Sequence, residues 1–450
     1  MIPSFKPPRS QSDARLDVGE TGSQPSEKHS EDGKKERKRT PVWWVRSATA
    51  LVAGYIIAAQ ALMNLSGWSF LALAFATLLA GLLLVGSRYR VWRPRVGKWI
   101  WVPVVFVCYC LIRSFPATSD TNPLDTFAQL ASAFFGGIAV AAALKVGVSF
   151  RAVVFAQLAS SLVQIVIILG GLGPEPAPGE ETFRYAGITG NANELALQLG
   201  LGACLIWFRP RRAGWLGCLA AFGFIGFAVA VTGSRKALLV ALFFLILVAI
   251  QSMELVPRKR RPFVMAIAIA ASCMIGLFVV PLIIDQAQDL LTIQRTVDYN
   301  DSSYRTRVDM AQDAIRLWEK TPLFGNGMDA FSGLSREGTY AHNNYVELLC
   351  DIGLVGTLLY YALHVQVLIC ATRLRKSLRL YCWVLILLML VADMGYVSYK
   401  RKQSVMILVM MLAVSTSSRF AVSERRPFRE RSSARLKQLQ PAPRRFVFNG

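Results

Sequence analysis

Acidic residues are scarce in this chain. Its 450 residues include 28 Asp and Glu against 50 Lys and Arg, and only 17% are charged while 54% are hydrophobic. That balance argues against a soluble globular domain. Histidine is rarer still, with three in the whole chain. Cysteine is present eight times, but no CxxC pair with histidines nearby occurs, so neither a metal site nor a disulfide framework is expected. All but Cys350 lie in or near apolar runs and read as small packing residues. No apolar stretch lies within signal-peptide distance of the start, so nothing there looks cleavable. No internal repeat of fixed period is visible.

What the chain does have is long apolar runs of about 18–22 residues, each enough to cross a bilayer as a helix. In hydrocarbon the backbone must satisfy its own hydrogen bonds, so these runs read as helices. The fold class expected is all-α: a polytopic membrane helical bundle of about 12 transmembrane helices with a long periplasmic loop. Approximate spans are 47–64, 68–86, 99–113, 126–145, 151–171, 190–208, 214–232, 236–252, 263–284, 344–371, 379–395 and 403–418. Residues 1–45 and 419–450 read as disordered basic cytoplasmic tails flanking a transmembrane domain over 46–418.

The net charge of +22 is distributed as short clusters between spans. They are Arg88 to Lys98, Arg209 to Arg212, Arg258 to Arg261 and Arg373 to Arg379. Recurrence at alternate loops is the positive-inside pattern, so the clusters face the cytoplasm, both termini are cytoplasmic, and nucleic acid is not an expected partner. Lys400, Arg401 and Lys402 break the pattern by falling in an outer loop. Either they face a lipid phosphate or the last two spans are misdrawn.

The opposite-side loops carry the polar motifs. The loop near 172–190 holds Arg184 and leads to Gly190-Asn191-Ala192-Asn193. The long loop, about 285–343, holds an amphipathic helix with an N-cap signal at Asp301-Ser302-Ser303. Val308, Ala311, Ile315 and Trp318 form its apolar stripe, and Thr321 to Gly327 end it. This helix is expected to lie against the bundle or the bilayer as a lid. No DxD-like acidic pair stands in an outer loop to hold a divalent metal, so a diphosphate leaving group would rely on arginines.

Several residues have both a bland and a chemical reading. His342 is either a boundary histidine bonded to its loop or a general base near neutral pH, oriented by Asn343, Asn344 or Glu347. Glu347 and Asp351, a turn apart, also read as acids favoured at a helix start. Arg235 opens an apolar span on the outer side, where it either snorkels or clamps an anion bidentately. Arg307 and Arg305 start the loop helix. A cation there opposes the helix dipole unless an anion joins it. Arg113 makes a weaker case. Asn191 and Asn193 either cap a helix or bond a sugar or phosphate, and Ser234 stands next to Arg235.

Four blocks, in order, resemble the O-antigen ligase/O-antigen polymerase superfamily. They are Gly190-Asn191-Ala192-Asn193, Gly233-Ser234-Arg235-Lys236-Ala237, Ser303…Arg307…Trp318…Pro322-Leu323-Phe324-Gly325-Asn326-Gly327, and His342-Asn343-Asn344-Tyr345-Val346-Glu347…Gly353-Leu354-Val355-Gly356. The resemblance implies a bundle related to the GT-C glycosyltransferases in the bacterial inner membrane, with a periplasmic site and no cofactor or metal. It implies transfer, with inversion, of a glycan from undecaprenyl diphosphate to a hydroxyl on lipid A–core, on another glycan or on a protein. By the same carry-over Arg235 and Arg307 grip the diphosphate and His342 activates the acceptor. Asn191, Asn193, Ser234, Arg305, Asn343 and Glu347 are substrate-binding candidates. Lys236 stands where a small residue is usual, and Met310 and Ala311 stand where a tryptophan is usual. The rival reading is a transporter or flippase of lipid-linked saccharides. The absence of visibly related halves argues against it.

Overall fold

The computed structural model describes residues 41–62, 70–88, 98–115, 122–170, 192–207, 210–232, 234–255, 257–260, 262–263 and 302–416. The two expected tails outside that range, the loop with Arg184, Asn191, the span expected at 263–284 beyond its first residue and the loop up to Asp301 lie outside the described residues. Among the described residues the chain forms helices and no strand.

The helices in chain order are α1 Val42–Ile57, α2 Phe70–Arg88, α3 Trp101–Arg113, α4 Pro123–Val146, α5 Phe150–Leu169, α6 Ala192–Trp207, α7 Pro210–Thr232 and α8 Arg235–Leu255. Then follow α9 Ser302–Lys320, α10 Ala330–Leu334, α11 Asn344–Ala371, α12 Lys376–Asp393 and α13 Lys402–Ser415. Five of the described helices (α1 with the turn after it, α2, α4, α5 and α11) are long and apolar enough to cross a membrane. Helices α3, α6 and α13 and the apolar parts of α7 and α8 are shorter. Both of the last two expected spans are helices, as α12 and α13.

Polar side chains inside the bundle are used to join helices. A π-helical turn, Ala58–Leu62, follows α1. Such a turn leaves a carbonyl without its usual partner. The Gln60 carbonyl accepts from Gln164 Nε2 of α5 at 2.7 Å and from Gln198 Nε2 of α6 at 2.9 Å. Three helices are tied at one buried oxygen, where an unmade bond would be costly.

Helix α9 is the expected amphipathic helix, and it packs on α11. Its buried face differs from the expected stripe. Met310 and Ala314 are buried in a small core with Phe331, Ala341 and Cys350, whereas Val308 and Ile315 stay exposed. The physical reason is a nearby cavity that takes the Val308, Ala311 and Ile315 side of the helix.

Helix α11 is broken at Gly353, where φ is 69° and ψ is −174°. The break frees carbonyls on one side and amides on the other, and each finds a partner. The Cys350 carbonyl accepts from the Asn326 N–H at 2.8 Å and the Asp351 carbonyl from the Gly327 N–H at 2.8 Å. The Ile352 carbonyl accepts from the Tyr109 hydroxyl at 2.7 Å. Beyond the break, Leu354 N–H donates to the Pro322 carbonyl at 3.0 Å and Val355 N–H to the Leu323 carbonyl at 3.1 Å. The Pro322 to Gly327 block therefore replaces one turn of helical bonding. Two glycines let the backbones meet. A Cβ on Gly353 would stand 2.5 Å from the Gly325 nitrogen, and one on Gly325 (φ 72°) would stand 2.5 Å from the Asp351 carbonyl oxygen. Arg113 Nη2 donates to the Gly325 carbonyl at 2.8 Å and holds the block from α3.

Gly353→Ala and Gly325→Ala should each destabilise the protein by more than the ~1–2 kcal/mol that left-handed backbone alone costs an L-residue. Gly81→Ala, in a helix with nothing within 4 Å of the added carbon, should be neutral or stabilising by up to about 1 kcal/mol. Thermal unfolding in detergent reads all three, and equal midpoints for Gly353→Ala and Gly81→Ala would refute the steric account.

Candidate active site

The site is built on the chain just before α11. Asn343 caps that helix, its side-chain oxygen accepting from Tyr345 N–H at 3.0 Å and Val346 N–H at 3.4 Å. Glu347, fully buried, reaches back so that its Oε2 accepts from Ala341 N–H at 2.7 Å. Between these two anchors His342 is held at φ 54°. That conformation is uncommon for a residue with a side chain, and strain of this kind gathers at functional sites. The Tyr340 and His342 rings lie 4.2 Å apart, centroid to centroid.

His342 lines a cavity of about 330 Å³ together with Arg307, Gln312, Asn343 and Gly395. Its remaining wall is apolar: Val308, Ala311, Ile315, Ala341 and Met394. Met394 is 68% exposed, so the apolar side opens outward. A cation and an imidazole beside an open apolar wall suit an amphiphile with an anionic head. Burial, and after it the positive charges of Arg307 and Lys236, together lower the pKa of His342 to about 4. The imidazole is therefore neutral and free to accept a proton.

Lys236 enters this site although the sequence assigned it no role. It follows Arg235 at the start of α8, and its Nζ donates to the carbonyl of Gly395, a cavity residue. The ammonium also lies 4.9 Å from the Tyr396 ring centroid. The signal available in the sequence was its departure from the family pattern. Arg235 itself opens α8, but its side chain lies outside the described structure. Between the two competing arginines, Arg307 lines the cavity and Arg305 is exposed.

Other candidates hold the site together. Ser234 Oγ donates to Asn193 Oδ1 at 2.6 Å, joining the starts of α8 and α6. Asn344, fully buried, donates to Asp393 Oδ2 at 3.1 Å and to the Tyr361 hydroxyl at 3.0 Å, and it accepts from the Ser398 and Tyr399 N–H groups. This residue ties the start of α11 to the α12–α13 connection.

Lys400 and Arg401, in the α12–α13 connection, face carboxylates. The Lys400 ammonium stands 2.5 Å from Asp329, 2.7 Å from Glu347 and 3.5 Å from Asp351. Arg401 pairs with Glu194 at 3.1 Å. The sequence offered a lipid phosphate or misdrawn spans as the reason for these cations; in the structure both spans are helices and the cations are met by carboxylates of the protein itself. Burial opposes the charge on Lys400, but the three acids outweigh burial and hold its pKa above the ordinary lysine value. Asp329, Glu347 and Asp351 carry oxygens within 4.8 Å of one another, a spacing open to a metal ion. Here Lys400 supplies the cation, and Asp351 is further engaged by Tyr399 hydroxyl at 2.7 Å and Phe331 N–H at 2.8 Å.

Residues 220–361 match the family model described as O-antigen ligase. This stretch of the chain belongs to the O-antigen ligase family. No curated protein matches the chain. The O-antigen ligase stretch contains Ser234, Arg235, Lys236, Arg305, Arg307, His342, Asn343 and Glu347, whereas Asn193, Lys400 and Arg401 lie outside it. Family and apolar helices together fit a multi-pass membrane protein of the glycan ligase or polymerase class, acting on a lipid-linked glycan and an acceptor.

Lys400→Met leaves three carboxylates without their cation. Breaking a buried ion pair from one side costs about 3–5 kcal/mol, so this variant should unfold at markedly lower temperature than wild type. Adding Glu347→Gln and Asp351→Asn to Lys400→Met should recover part of the loss. No recovery would mean the cluster is not held by charge.

Proposed function

We propose that this protein is a membrane glycosyltransferase that moves a glycan from undecaprenyl diphosphate to an acceptor hydroxyl at the periplasmic face of the bacterial inner membrane. The acceptor is lipid A–core in a ligase, or a further glycan in a polymerase. The observation that supports this reading most is Arg307 and His342 lining one cavity with an open apolar wall. The guanidinium suits the diphosphate and the apolar wall suits the first isoprene units.

In this scheme the acceptor hydroxyl gives its proton to the neutral imidazole of His342. The freed oxygen pair forms the new bond to the anomeric carbon. The bond from that carbon to the diphosphate oxygen breaks, and its electron pair leaves with the diphosphate. A single displacement inverts the anomeric centre. Arg307, Lys236 and Arg235 stabilise the departing charge, so the scheme draws its cations from side chains. Proton removal by a positioned base contributes about 10²–10⁴-fold, and each preorganised charge donor about 10²–10³-fold.

The test uses full-length protein in liposomes with lipid-linked glycan and acceptor from the source cells, following release of undecaprenyl diphosphate. His342→Ala, Arg307→Ala and Arg235→Ala should each lose transfer by at least about 10²-fold while remaining in the membrane. Lys236→Met should lose activity, and Arg305→Ala should stay within a few-fold of wild type. Near-normal transfer by His342→Ala would remove the proposed base. Donor lipid carried across the bilayer intact would make the protein a transporter.

The pH profile gives a second check. His342 bears no proton above about 4 in the free enzyme, so the acid limb of kcat/KM should lie well below the ordinary histidine value of about 6.5. A bound diphosphate offsets Arg307 and Lys236, so the acid limb of kcat should lie higher than that of kcat/KM. Coincident limbs at or above about 6.5 would contradict the assignment.

A further inference from the structure

A second cavity has a volume of about 320 Å³. Its lining includes Tyr340, and the next three residues of the chain line the first cavity. The two cavities share no lining residue. Their chemistry is opposite. The first pairs a cation with an open apolar wall. The second is lined by Thr126 and Gln129 of α4, Asp329, Ser332 of α10, Thr339, Tyr340, Lys400 and Arg401, and its one apolar side chain, Val397, is buried.

The polar groups of the second cavity are held in position by one another. Thr126 Oγ1 donates to Asp329 Oδ2 at 3.2 Å, and Lys400 holds Asp329 Oδ1 at 2.5 Å. Ser332 Oγ donates to the Asp329 carbonyl at 2.8 Å. Asp329, at φ 60°, and His342 are the two non-glycine residues of positive φ among the described residues, and each lines one of the two cavities. Hydroxyl oxygens, the Gln129 amide, the remaining acceptor positions of Asp329 and the Arg401 guanidinium, beside one tyrosine ring, present donors and acceptors on several sides. That suits a polyhydroxylated ring and offers nothing to a hydrocarbon chain. The volume lies within the ordinary range for small-ligand sites, about 300–1,000 Å³.

We infer that this second cavity is the acceptor-sugar subsite, binding one sugar unit of the acceptor glycan by its hydroxyls. The inference rests on the transfer reaction proposed above. In-line displacement requires the acceptor oxygen to arrive from the side away from the diphosphate. The Tyr340 ring, 4.2 Å from the His342 imidazole, joins the polar cavity to the base, so a hydroxyl of the bound sugar reaches His342 along that ring. The leaving diphosphate stays with Arg307 in the first cavity.

Gln129 gives the cleanest test, because it is exposed, and the Ser132 hydroxyl bonds its main-chain carbonyl, which a substitution keeps. Full-length protein carrying Gln129→Trp fills the cavity, and Gln129→Ala removes one amide. With donor lipid and acceptor prepared from the source cells, Gln129→Trp should raise the KM for acceptor at least ten-fold. Gln129→Ala should raise it a few-fold. The KM for the lipid-linked donor and the binding of undecaprenyl diphosphate should stay at wild-type values in both. An unchanged acceptor KM in Gln129→Trp, or a raised donor KM in its place, would overturn the subsite while leaving the transfer reaction standing. Wild-type protein that moves no glycan would overturn the reaction and the subsite with it.

Discussion

The close approach of two backbones at Gly325 and Gly353 is the constraint on which the site depends. A helix cannot be broken inside a membrane protein unless the freed carbonyls and amides are paired again. Here five of them are, by the Pro322 to Gly327 block and by Tyr109. The first arm of α11, from Asn344 to Ile352, is therefore set in a direction of its own. That arm carries Glu347 and Asp351 into the protein and holds Asn343 as the cap beneath His342. The substitution of any larger residue at either glycine would press on main chain, which has no rotamer by which to yield.

Charge is divided between two tasks in this region. Lys400 with Asp329, Glu347 and Asp351 forms a closed ionic cluster whose members satisfy one another. Such clusters fix geometry more than they add stability, because burying the ions costs nearly what their attraction returns. Arg307 and Lys236 do something else. They act on His342 from outside its own loop, and with burial they keep the imidazole without its proton. Glu347 links the two, since one carboxylate oxygen faces Lys400 and the other holds the Ala341 N–H that precedes His342.

Among the described residues the helices were legible in the sequence wherever the apolar runs were long, because hydrocarbon leaves the backbone no alternative. Motif blocks were legible too, as separate pieces. Their contact was not. Nothing local announces that Pro322 to Gly327 fills a break at Gly353, although the two glycines in positive φ were the residues a break would need. The stripe of α9 was legible as apolar, but not that Met310 and Ala314 would be the residues buried against α11 while Val308, Ala311 and Ile315 line a cavity. Lys400 and Arg401 were visible as a departure from the charge rule. Their carboxylate partners come from α6, α11 and the turn before α10, too far along the chain for spacing to reveal. Lys236 was visible only as an oddity next to Arg235.

The central claim is that the donor diphosphate and His342 occupy one cavity, and imidazole titration by nitrogen NMR tests it most directly. The chain has three histidines, so the His342 signal is assignable by its loss in His342→Gln. In the free protein its titration should centre near the depressed value of about 4. Undecaprenyl diphosphate should move it upward, as the anion offsets Arg307 and Lys236. A midpoint that stays where it was with the lipid bound would contradict the shared cavity.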